Sequence, residues 1–122
     1  MNNIGNRLAA IQELAGELNF ISESDNEVNA YIAGRNIITL TPESFKAANP
    51  QLQYEAVVSQ SFDDVMQTQE NLRQGWALLR CYLENNLSDL IVFKTGTIRR
   101  EVFIVGLFDN HIIGVRSFAI ET

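Results

Sequence analysis

The sequence predicts an α+β fold, drawn as a three-layer α/β/α sandwich around a five-stranded mixed or antiparallel sheet. Three observations lead there. The stretch from Leu90 to Thr122 reads as three consecutive strands whose turns are too short for a parallel return. Before it come a helix, a hairpin, a short helix and a long helical region, a mixture that buries its apolar faces by packing helices on a sheet. Within the meander Val102 and Ile104 alternate with Phe103 and Val105, so both faces of that strand are apolar and helices are expected on both sides. The 122 residues, 46% of them hydrophobic, are read as one domain, 1–122, long enough to bury a core.

The chain opens on an amphipathic helix. Ile4, Leu8, Ile11, Ala15 and Leu18 recur at helical spacing, Arg7, Glu13 and Glu17 take the other sides, and Asn19 ends it. No positive charge falls between Arg7 and Arg35, whereas Glu13, Glu17, Glu23, Asp25 and Glu27 do. Such a run is either a solvated face or an acidic docking surface for a basic site. Val28, Ala30 and Ile32 alternate with polar neighbours as in a half-buried strand, and Ile37 to Leu40 is expected to return beside it after a turn over Ala33 to Asn36. Thr41, Pro42 and Glu43 combine a hydroxyl cap, a proline at the first helical position and an acid near the positive end of the dipole. Asn49-Pro50 stops that helix early.

From Gln51 to Leu87 the pattern is helical. Val58, Phe62, Val65, Leu72, Trp76, Leu79 and Leu83 keep one seam, broken where Gln69 takes an apolar slot. Two helices meeting near Met66 to Thr68 and one long helix with a weak middle fit equally well. Gly75 costs a helix about 1 kcal/mol against alanine, which suggests close packing against a neighbour. The closing strands are Leu90 to Lys94, Ile98 to Gly106 and Ile112 to Ile120. The turn Thr95-Gly96-Thr97 has a glycine free to take positive φ, and the second turn spans Leu107 to His111.

The chemistry is marked by what is missing. One cysteine, Cys81, excludes an internal disulfide and any paired-cysteine metal or redox motif, and suggests a reducing, cytoplasmic setting. Cys81 itself reads as a small apolar filler on a helix. The single His111 sits in a tight turn without the orienting groups of a catalytic triad. Asp63 and Asp64 are adjacent on a helix and point apart, which suits a solvated face better than a metal pair. No glycine-rich phosphate loop follows a strand. No apolar run approaches membrane-span length, and the first residues lack the features of a secretion signal. A formal charge of -6 with nine basic residues argues against direct nucleic-acid binding, since phosphate neutralisation needs clusters of Lys and Arg. Neither an enzyme nor a cofactor is indicated.

Two segments carry a likeness. Val102-Phe103-Ile104-Val105-Gly106 before a loop, then Ile113-Gly114-Val115 and a closing Glu121-Thr122, resembles the carboxyl end of the nuclease A inhibitor family. Leu18-Asn19-Phe20-Ile21-Ser22-Glu23-Ser24, directly after the first helix, is similar to that family's acidic segment. Together they extend the likeness over roughly half the chain. The central region departs from it: the hairpin before Thr41 is shorter, the segment from Tyr54 to Gln69 is longer, and the family's exposed acidic-aromatic pair has no match near Gln51 to Tyr54.

The resemblance implies the same α/β/α arrangement and a non-catalytic inhibitor of a sugar-nonspecific, metal-dependent nuclease. Glu23 matches the acidic residue of the family's binding segment, with Ser22, Ser24 and Asp25 around it, and Glu121 and Thr122 form the second contact. Thr122, through its terminal carboxylate and hydroxyl, would reach the metal of the partner nuclease in trans. The physics is reasonable. Carboxylates can replace phosphates in charge-assisted bonds to Arg and Lys, magnesium prefers hard oxygen ligands, and an acidic protein is steered to a basic cleft. The alternative from a different class is a small acidic chaperone or adaptor working as a homodimer through an apolar surface, an analogy at fold level alone.

Overall fold

The structure, a computed structural model, describes residues 4–34 and 36–121. The first helix, α1 (Ile4–Ala15), buries Ile11 and Ala15 completely, as its stripe requires, with Leu8 and Leu18 packed alongside. A two-stranded ribbon follows, β1 (Asn19–Ile21) against β2 (Asp25–Glu27), with Phe20 opposite Asn26. The main sheet has five strands, all antiparallel, in the spatial order β3, β7, β6, β5, β4. Its members are β3 (Asn29–Ala33), β4 (Val57–Gln60), β5 (Ser88–Thr95), β6 (Arg99–Phe108) and β7 (His111–Ile120). The fold is α+β, as expected, and the sheet is antiparallel rather than mixed.

The closing meander follows the sequence closely. Asp109 and Asn110, at φ 51° and 60°, make a two-residue left-handed turn, so the loop is tighter than Leu107 to His111 and Phe108 pairs with His111. Gly96 takes φ 70° at the other turn. Inward positions alternate between two cores. Val102, Ile104, Ile113 and Val115 join Ile11, Met66, Trp76, Leu79 and Leu83 in one apolar cluster. Phe103, Val105 and Ile112 join Phe45, Leu52 and Phe93 in the other, where the Phe45 and Phe93 rings stack at 4.5 Å.

Four expectations are corrected. Ile37 to Leu40 is not a strand, and β3 pairs with β7 instead. The other edge of β3 is met by α1, where the Gln12 side-chain oxygen accepts the Ala30 N–H at 2.8 Å. Residues 37–40 are held by other bonds, Ile37 N–H to the Asn110 carbonyl at 2.8 Å and the Ser44 hydroxyl to the Thr39 carbonyl at 2.7 Å. They lead into α2 (Pro42–Ala48), whose Thr41 cap, Pro42 start and end at Asn49 agree with the sequence.

Val57–Gln60 is a strand, not the start of a long helix. It pairs with β5, and the Ser61 hydroxyl then accepts the Asp64 N–H to cap α3 (Phe62–Leu72). The helical region breaks at Arg73 to Gly75, later than Met66 to Thr68, and resumes as α4 (Trp76–Asn86). Cys81 is exposed on α4 rather than filling a gap in the core. No helix among the described residues is long and apolar enough to cross a membrane.

Candidate partner-binding site

The site begins with a polar residue in an apolar slot. Gln69, 2% exposed, faces β1, where its side-chain oxygen accepts the Ile21 N–H and its side-chain amide donates to the Ile21 carbonyl, both at 2.9 Å. The carboxamide thus stands in for a neighbouring strand and satisfies two backbone groups at once. Trp76 Nε1 donates to the Asn19 carbonyl at 3.1 Å, and its ring meets Phe20 edge to face. α3 and α4 therefore seat β1 firmly, and the acidic turn hangs from its end.

That turn meets the end of β7. The Ser22 hydroxyl accepts the Ile120 N–H at 3.0 Å, and the Glu23 N–H donates to the Ile120 carbonyl at 3.3 Å. Ser22 N–H closes the turn onto the Ser24 carbonyl at 3.0 Å, and Asn26 donates to the Ser24 hydroxyl at 2.7 Å. Asp25 lies 3.9 Å from Arg73, both largely in solvent, a geometry that contributes little to stability. Ser22, Glu23, Ser24 and Asp25 are thus on one turn, and Ser22 and Glu23 touch the residue before Glu121.

Glu121 is the next residue along. Its carboxylate is engaged internally, by Lys94 Nζ at 2.6 Å and by Arg100 Nη1 at 3.0 Å. The Lys94 ammonium beside it, helped by Arg100, holds the Glu121 carboxyl below the usual carboxylate range against the opposing pull of partial burial. Thr122, the expected ligand to the partner's metal, lies outside the described residues. Sequence reasoning missed Lys94 and Arg100. Lys94 follows the apolar run Leu90 to Phe93, and that is the one local signal that it needed an anion.

A cleft of about 600 Å³ opens along this seam, lined by Phe20, Ile21 and Glu23 and by Ser61, Asp64 and Thr68 along α3 and its cap. Asp63, one residue away, pairs with Arg80 at 2.7 Å, so the two adjacent acids do point apart. His111 sits at the β6–β7 turn with Nδ1 2.7 Å from the Asp109 carbonyl. No group of three or more His, Cys, Asp or Glu among the described residues could hold a metal.

Comparison with known proteins decides the family. The family model described as Nuclease A inhibitor-like protein matches residues 5–122. The chain belongs to the nuclease A inhibitor-like family. The match covers the central region as well as the two ends that carry the likeness in the sequence. No curated protein matches the chain. Membership of an inhibitor family implies a non-catalytic protein whose partner is a nuclease.

Proposed function

We propose that this protein inhibits a sugar-nonspecific, metal-dependent nuclease by laying the Ser22–Asp25 turn and the adjoining chain end into the enzyme's active-site cleft. The observation that carries the proposal is the pair of bonds joining Ser22 and Glu23 to Ile120. They bring the two segments that carry the family likeness, 98 positions apart at Ser22 and Ile120, into one edge, which supports this reading. A cleft that binds phosphates offers Arg and Lys donors, and a carboxylate such as Glu23 can take a phosphate's place in charge-assisted bonds. A metal with open positions accepts oxygen ligands, and Thr122 is proposed to supply them. The net charge of -6 favours rapid encounter with a basic cleft. The setting proposed is cytoplasmic, in keeping with a lone exposed Cys81.

The test is cleavage of DNA by a panel of metal-dependent nucleases with and without the purified protein. At least one enzyme should be inhibited stoichiometrically. Glu23→Gln should then weaken that complex by about 2–5 kcal/mol if the ion pair is buried, much of it from stranding the enzyme's cation. Residues appended after Thr122 should abolish inhibition and leave the melting transition unchanged. Inhibition that is indifferent to both changes would remove this edge from the interface.

A further inference from the structure

Both carboxylate oxygens of Glu121 are engaged within the protein. Lys94 Nζ takes Oε2 and Arg100 Nη1 takes Oε1, while the Glu121 N–H donates to the Ile98 carbonyl at 2.8 Å. Arg100 is itself steadied by a bond from Nε to the Thr95 carbonyl at 3.3 Å. Lys94 is only 7% exposed. An ammonium that far from water is tolerated only with a well-placed anion, and such a pair is a poor way of adding stability because desolvation offsets the attraction. The residue following β7 is tied at three points, and the residue before it, Ile120, carries the acidic turn on both its N–H and its carbonyl.

Resting on the inhibitor reading, we propose that Lys94 and Arg100 are positioning residues for partner binding: they fix Glu121, and through Ile120 they set the Ser22–Glu23 turn in its docking geometry. Glu121 is accordingly a strut and not a contact with the partner. A binding edge already held in place loses less conformational freedom on association. Releasing the strut leaves the contacting residues chemically intact and makes their ordering a cost of binding. Freeing two or three side chains that must then be immobilised on association lowers affinity by about tenfold to hundredfold.

Lys94→Met removes the buried charge and keeps an unbranched apolar stem of similar length, and Arg100→Gln is the milder companion. Both variants should melt cooperatively. In each, exchange of the Glu23 and Ile120 amide hydrogens should quicken while that of Ile104 and Val115 in the sheet interior does not. Affinity for a nuclease inhibited by the wild type should fall at least tenfold. A double-mutant cycle between Lys94→Met and Glu23→Gln separates positioning from general support. If Lys94 acts by placing Glu23, the double variant binds scarcely more weakly than Glu23→Gln alone. Additive losses, unchanged amide protection, or wild-type affinity in both variants would overturn the positioning role. A wild type that inhibits no nuclease would instead overturn the inhibitor reading, and the amide exchange would still report whether the strut holds the turn.

Discussion

Gln69 illustrates why single residues can be conspicuous in a sequence and still unexplained by it. Its interruption of the apolar seam is visible at once, but its partner, the Ile21 peptide, is 48 residues away and belongs to a three-residue strand with no signature of its own. Gln69→Leu fits the slot by polarity and removes both bonds. It should destabilise the protein by about 1–3 kcal/mol, because two part-buried backbone groups lose their partners and the added apolar contact returns only part of that. Urea unfolding would show a lower midpoint with an unchanged slope. The same reasoning explains why the Lys94–Glu121 pair is out of reach: Lys94 stands out beside its apolar neighbours, but its anion is 27 positions away. Glu23, by contrast, was legible as an acid in a stretch without bases, and its contact with Ile120 gave it a structural neighbour.

At the scale of elements, whatever depends on near neighbours in the chain was legible. The meander, the Thr41 cap and the stop at Asn49 follow from local turn chemistry and two- or three-residue spacings. Strand pairing is a choice among distant partners, which is why residues 37–40 were assigned to β3 when β7 takes that edge. The four-residue β4 was absorbed into a helical seam, since short apolar runs do not separate helix from strand by period alone. Ser61 followed by Phe62, Asp63 and Asp64 was the overlooked helix start. Two glycines show how differently elements approach each other. A Cβ on Gly114 of β7 would lie 2.0 Å from the Ile104 carbonyl oxygen of β6, whereas one on Gly75 would meet only the tip of the Leu18 side chain at 2.9 Å. Gly114→Ala should therefore cost about 3 kcal/mol or more, beyond the usual range for an added methyl because backbone must move. Gly75→Ala should stay within about 1 kcal/mol of the wild type, since Leu18 can turn aside and the unfolded chain loses freedom. Thermal melts of the two variants check both.

For the molecule as a whole, the turn after β1 and the end of β7 converge where the sheet, α3 and the β1–β2 ribbon meet, with Phe20 and Trp76 of one apolar cluster beside them. The alternation in Val102 to Val105 makes both apolar clusters legible in the sequence. The convergence itself is a property of topology, and only the antiparallel placement of β7 beside β3 and β6 creates it. A convenient optical property follows from the same packing. Trp76 is the sole tryptophan of the chain, is fully buried, and touches β1 through both its ring and its Nε1. Its emission should be blue-shifted and resistant to iodide quenching in the wild type, and should move to the red in Gln69→Leu as β1 loosens, before the far-ultraviolet signal of the helices changes. The protein thus carries an intrinsic fluorophore directly behind the edge proposed to meet the nuclease, and seating of a partner on the Ser22–Glu23 turn can be followed in real time without attaching a dye.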